Sequence, residues 1–270
     1  MTASPAPAPA RAQASPPIAV RARDVLASEW TKFRSVRSTF WTLLVAVVTP
    51  IGSTLLVAVA LSSQPRGAPP IDPMLPIFIS LDYAVLAIGV RGVMAFSTEY
   101  STGLIRTTFA AVPHRRAVLA AKAAVTGAVT LVAGEIVAFA TFFVAQALLS
   151  SHHLGVSLSH PGALGAVLAD GLILPVTALM GVGLGAITRH TAGGIAAVVA
   201  LIILPATLAL LRPPWGGRLG RFTLLDAAHQ VTALHPAADL FAPALSLVVL
   251  LAWPALILLA AGLVITRRDA

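Results

Sequence analysis

Residues 99–116 read Glu99-Tyr100-Ser101-Thr102-Gly103-Leu104-Ile105-Arg106-Thr107-Thr108-Phe109-Ala110-Ala111-Val112-Pro113-His114-Arg115-Arg116. This polar interruption separates two long apolar runs, and the runs decide the fold class. A helix needs about 20 apolar residues to cross a bilayer. Working outward from the interruption, six runs reach that length: about 40–61, 77–98, 123–149, 163–188, 192–211 and 242–265. The expected fold is therefore an all-α membrane protein with six transmembrane helices in a domain spanning 40–268.

Composition agrees. Of 270 residues, 57% are hydrophobic and 10% charged, with mean hydropathy +0.90. Soluble domains carry about 25% charged residues. The net charge of +8 comes from basic groups at the edges of apolar runs. That placement fits lipid headgroups and topology control better than nucleic acid, which is not an expected partner. With both termini cytoplasmic, 13 Lys or Arg fall on inner segments and 4 on outer ones, which satisfies the positive-inside rule and an even number of spans.

Residues 1–20, rich in Ala and Pro, read as a disordered tail. They lack the basic and apolar regions of a secretory signal. Residues 21–39 read as an amphipathic helix. Leu26, Trp30 and Phe33 form its apolar stripe, Glu29 and Lys32 can pair at i, i+3, and Arg37 closes it. Such a helix either lies along the inner leaflet or simply extends the next span. In 212–241, Leu224, Ala228, Val231 and Leu234 mark a short helix at the outer surface.

Charges inside spans are costly, roughly 2.5–3.5 kcal/mol each at the bilayer centre. Asp82 and Asp170 lie near outer helix ends, within reach of water or headgroups. Arg91 and Glu135 lie deeper, and their side chains tilt toward each other's depth. Either they pair in the interior, or Arg91 meets inner phosphates and Glu135 is protonated.

Enzyme motifs are missing from the sequence. The only lysines, Lys32 and Lys122, precede Phe33 and Ala123, so no Gly-x-x-x-x-Gly-Lys-Ser/Thr loop exists. There is no His-Glu-x-x-His and no Gly-x-Ser-x-Gly. The chain has no cysteine, and His152, His153 and His160 lack acidic neighbours in their loop. A non-catalytic membrane subunit is expected, with no cofactor or metal of its own.

Two segments resemble a known family. Ser28-Glu29-Trp30-Thr31-Lys32-Phe33-Arg34-Ser35-Val36-Arg37-Ser38-Thr39 looks like the N-terminal segment of bacterial ABC transporter permeases of the type-2 exporter family. Glu99-Tyr100-x-x-Gly103-x-Ile105-Arg106-Thr107-Thr108, with Pro113, Arg115, Arg116 and Lys122, is similar to that family's loop after the second span. The resemblance implies a plasma-membrane permease that dimerises with a second copy or homologue over separate ABC ATPase subunits, which bind the ATP and Mg. Residues 21–39 would be the connecting helix. Glu99, Tyr100, Gly103, Leu104, Ile105, Arg106 and Phe109 would couple to the ATPase, with Ser101 or Thr102 capping the docking helix and Pro113 ending it. Export is implied by the family alone. Two other classes stand beside it: an ion-coupled secondary transporter using Arg91 and Glu135, with Pro175, Pro205 and Pro254 breaking helices, and a non-transporting membrane scaffold or immunity protein.

Overall fold

The computed structural model describes residues 21–63, 72–152, 154–208, 219–238 and 240–267. The tail 1–20, the Arg212–Gly217 opening of the long loop, and His153 lie outside the described residues. Every regular element among the described residues is a helix. They are α1 (Ala22–Ser35), α2 (Arg37–Ser62), α3 (Leu75–Ser101), α4 (Leu104–Ala111), α5 (Arg115–Ser150), α6 (Ala163–Gly171), α7 (Ile173–Thr188), α8 (Thr191–Leu208), α9 (Leu224–Thr232) and α10 (Pro243–Arg267).

Four segments are long and apolar enough to cross a membrane: Arg37–Ser62, Arg115–Ser150, Ala163–Thr188 and Pro243–Arg267. By that measure the chain is a helical membrane protein. The long helices run alternately between two ends of one bundle. At the near end, Arg115 Nη1 donates to Ile265 O at 3.2 Å, and the Ser97 and Thr191 hydroxyls meet at 2.9 Å. At the far end, the Thr54 hydroxyl donates to Pro76 O, and Gln146 Nε2 donates to Pro73 O. Asp72 closes that end by accepting from the amides of Leu234 and His235.

Helix α7 forms the core. Nearly all of it is buried, as expected of a helix apolar all round. By contrast, α2 and α10 present Leu55, Leu56, Val59, Leu256, Leu259 and Leu263 outward. Where lipid offers apolar residues as good an environment as the interior does, close backbone packing must supply the attraction. Helices α3 and α7 achieve this with glycine. A Cβ on Gly92 would collide with the Ala178 carbonyl, and one on Gly181 with the Gly89 carbonyl.

Helix 163–188 is not one straight rod. It breaks at Leu172 between α6 and α7. Pro175 has no N–H to offer the Gly171 carbonyl, so the helical ladder loses that bond. Pro50, Pro205 and Pro254 lie inside α2, α8 and α10. The turn between α7 and α8 rests on Arg189 in a left-handed conformation (φ 57°), and the Gly193-Gly194 pair lies within α8.

Gly92→Leu is expected to lose about 1–3 kcal/mol or more, because a backbone carbonyl cannot move aside for the new side chain. Gly52 has open space around it, so Gly52→Ala should leave stability equal or slightly raised. Thermal unfolding of both variants in detergent, read by fluorescence-detected size exclusion, checks this contrast.

Candidate functional site: a buried charge lattice at the near end

The sequence places its two lysines on different helices, Lys32 on α1 and Lys122 on α5. The fold brings them together around two carboxylates. Glu29 Oε1 accepts from Lys32 Nζ at 2.8 Å, and Glu29 Oε2 from Lys122 Nζ at 2.6 Å. Glu99 Oε1 accepts from both, at 2.9 Å from Lys32 and 2.7 Å from Lys122. Three of the four residues are buried: Glu29, Glu99 and Lys122 are 4%, 7% and 4% exposed. Lys32 closes the lattice at its more exposed side. An ammonium is a compact charge with three rotatable donors, which suits a site shared between two carboxylates.

Local structure explains the convergence. Val25, Glu29 and Phe33 lie on one stripe of α1 and turn inward. Leu26 and Trp30 face out, at 39% and 47% exposed. The expected apolar stripe of Leu26, Trp30 and Phe33 is thus divided. Phe33 sits beneath the Arg91 guanidinium, 4.9 Å from its ring centre, instead of facing lipid. Glu29 shares the buried side because Lys122 waits there. Arg37 is exposed at the start of α2. Lys122, which the sequence places at the edge of an apolar run, is an interior group. The available signal was its rarity in a chain that otherwise uses arginine.

The expected Arg91–Glu135 pair does not form. Arg91 Nε and Nη2 both donate to the Thr39 hydroxyl, at 3.1 and 2.6 Å. Its side chain reaches toward the near end, where a neutral hydroxyl and an aromatic face contact it. The Glu135 carboxylate lies against Gly171 on the other side of α5, beside the helix break. Asp170 is also not a border residue. It is fully buried, and neither carboxylate oxygen has a hydrogen-bond partner among the described residues. Asp82 does meet the far surface, where the His229 ring lies 3.1 Å away. Burial acts to lower the His229 pKa, but the hydrogen bond and charge of Asp82 outweigh it and hold the ring above its usual value.

The interruption itself divides in a new way. Gly103, at φ 73°, is the N-cap of α4, and glycine takes that left-handed geometry without strain. The Ser101 and Thr102 hydroxyls donate back to Thr98 O and do not cap α4. Ile105 and Phe109 are buried against Phe96, Val118, Leu119 and Ile265, so they anchor α4 to its own bundle. Leu104, Arg106, Thr107 and Ala110 remain exposed. The free face of α4 is therefore smaller and more polar than the expected one. Tyr100 stacks on Phe96 at 5.9 Å, with the Arg189 guanidinium 5.2 Å from its ring centre. Helix α4 ends at Ala111, before Pro113.

A cavity of about 280 Å³ opens beside the lattice. Glu29, Lys32, Phe33, Arg91, Glu99 and Lys122 line it, together with Val36, Ser38, Leu104 and Val125. Among the described residues, no cluster of three or more His, Asp or Glu suited to a metal is present.

The chain matches no protein-family model and no curated protein.

The lattice sets a pH signature. Burial by itself would raise the Glu99 pKa, but Lys122 and Lys32 outweigh it and hold the carboxyl below its ordinary value of 4.5. A depressed carboxyl contributes stability that is present above its unfolded pKa and is lost as pH falls through the folded one. For Lys32, burial acts to lower the pKa, and Glu29 and Glu99 outweigh it and raise it above 10.5. That contribution is present below 10.5 and is lost only as pH rises through the higher folded value. Thermal stability should therefore hold across neutral pH and fall below about pH 4.5. Glu99→Gln should cost about 3–5 kcal/mol at pH 7, because Lys122 loses one buried partner, and it should flatten the acid limb. Melting curves of the two proteins from about pH 2.5 to pH 8, in steps of about half a unit, cover the acid limb and measure the proton linkage directly.

Proposed function

We propose that the chain is the membrane permease subunit of an ATP-driven ABC exporter, working as a dimer over a separate ATPase in a bacterial plasma membrane. On this reading α2, α3, α5, α6–α7, α8 and α10 are six spans with both termini in the cytosol. Helix α1 is the interfacial connecting helix, and α4 is the coupling helix. Leu26 and Trp30 then contact lipid. The observation that carries this reading is the lattice itself. Glu29 and Lys32 of α1, Glu99 at the end of α3 and Lys122 of α5 form one hydrogen-bonded unit around the base of α4. With Ile105 and Phe109 buried, α4 cannot shift without moving the ends of α3 and α5. That is the mechanical property a coupling element requires.

A second reading has one observation in its favour. Asp170 is buried beside the break between α6 and α7 with no hydrogen-bond partner among the described residues, the kind of feature that marks ion-coupled transporters.

For the coupling reading, the informative substitutions lie on the free face of α4. Leu104→Asp and Arg106→Glu should each abolish co-purification with an ATPase encoded beside this chain, while membrane insertion and melting temperature stay unchanged. Phe109→Asp, by contrast, should lower folded yield. Retained co-purification in both surface variants would overturn α4 as the coupling helix. Efflux that survives loss of the ATPase and collapses with a proton uncoupler would favour the second reading.

A further inference from the structure

The cavity beside the lattice carries an unbalanced charge. Three cations line it, Lys32, Lys122 and Arg91, against two carboxylates, Glu29 and Glu99. The two lysines take up both Glu29 oxygens and Glu99 Oε1, while Glu99 Oε2 is buried with no hydrogen-bond partner among the described residues. Arg91 is left with a neutral partner, the Thr39 hydroxyl, and the Phe33 ring. It is only 6% exposed, and no carboxylate within the described residues bridges to it. A buried guanidinium without an anion is costly to keep. Arg is also the side chain whose planar fork best matches phosphate oxygens. Thr39 holds Nε and Nη2, which leaves Nη1 as the edge not engaged by that hydroxyl.

The walls indicate the source of the anion. Val36 and Leu104 line the cavity and are themselves 46% and 57% exposed, so its rim is apolar. Phe40 and Trp41, both more than half exposed, continue that apolar surface along the start of α2. A soluble anion gains nothing from such a rim, whereas acyl chains do. The volume is several times the roughly 30 Å³ share of one water in the liquid, which leaves room for a phosphodiester.

We infer that this cavity is a binding site for the headgroup of an anionic phospholipid. Arg91 takes the phosphate, Lys32 and Lys122 supply the surrounding positive field, and the acyl chains leave over Val36 and Leu104. The inference needs α1 to lie at the membrane surface. It does not depend on the exporter reading, since no ATPase takes part.

The test uses the full-length protein purified in neutral detergent. It is incubated with phosphatidylglycerol, with phosphatidylcholine of the same chains, or with inorganic phosphate. Bound lipid is read by native mass spectrometry and stabilisation by melting temperature. Wild type should retain one phosphatidylglycerol in preference to phosphatidylcholine, and its melting temperature should rise only with the anionic lipid. Arg91→Gln should lower occupancy roughly tenfold, the loss of a charge-assisted phosphate contact. Ser38→Trp, which fills the cavity and leaves every cation in place, should do the same. The wild-type lipid comparison needs no variant, so poor folding of Arg91→Gln does not rescue the idea. Equal retention of the two lipids, or undiminished phosphatidylglycerol in a folded Ser38→Trp, overturns the site. Displacement of the lipid by millimolar inorganic phosphate overturns the lipid and assigns the site to a free anion.

Discussion

Two ammoniums shared between two carboxylates hold the near end of this bundle together. The arrangement is demanding. Each charge removed from water costs several kcal/mol, and mutual attraction offsets that only with good geometry and a full set of hydrogen bonds. Here the four contacts fall between 2.6 and 2.9 Å and join α1, α3 and α5, with Glu99 Oε2 the one carboxylate oxygen that has no hydrogen-bond partner among the described residues. A pair of leucines could fill the same space with less penalty. What apolar packing does not supply is register. A carboxylate on α1 that must meet an ammonium on α5 fixes both the rotation of α1 about its axis and its position along the bundle. This explains why Glu29, and not an apolar residue, occupies the buried stripe between Val25 and Phe33.

The lattice also explains the division of labour in the polar interruption. Its first residue, Glu99, belongs to the interior, and so do Ile105 and Phe109 six and ten residues later in the next helix. Gly103 makes the change of direction between them possible. The segment is thus bolted at both ends, by charge at Glu99 and by apolar burial in α4. Arg115 adds a third fixing point through the Phe109 ring and the Ile265 carbonyl. A loop held this way is fixed to the ends of α3 and α5, and its exposed side runs from Leu104 to Ala110.

Much of the fold was legible because apolar length is a strong signal. The expected runs at 40–61, 77–98 and 123–149 fall within α2, α3 and α5, the run at 242–265 coincides with α10 apart from its first residue, and the short helix after residue 223 is α9. The Glu29–Lys32 contact followed from spacing on one helix. Its extension to Glu99 and Lys122 did not, because helical periodicity says which residues share a face but not which face meets which neighbour. The same limit misplaced Phe33, Ile105 and Phe109. In a membrane an apolar side chain is equally at home facing lipid or protein, so a stripe of them does not report its own direction. The Gly181-x-x-x-Gly185 spacing of α7 was the more informative pattern for packing, since close backbone approach has few other uses.

The intramembrane charges show where one-dimensional depth arguments fail. Arg91 and Glu135 were expected to meet because their Cα–Cβ bonds lean toward a common level. A guanidinium, however, sits at the end of a long flexible stem, and its position follows the nearest group that can satisfy it. Thr39 and Phe33 provide that group below Arg91. Glu135, shorter and stiffer, stays close to its own backbone and packs against Gly171, where Gly134 lets the two helices approach. Depth along the helix places a short carboxylate well and an arginine poorly. The consequence is an arginine buried beside a cavity with no carboxylate bridging to it among the described residues, and it is this imbalance, not the Arg91–Glu135 distance, on which the proposed lipid site rests.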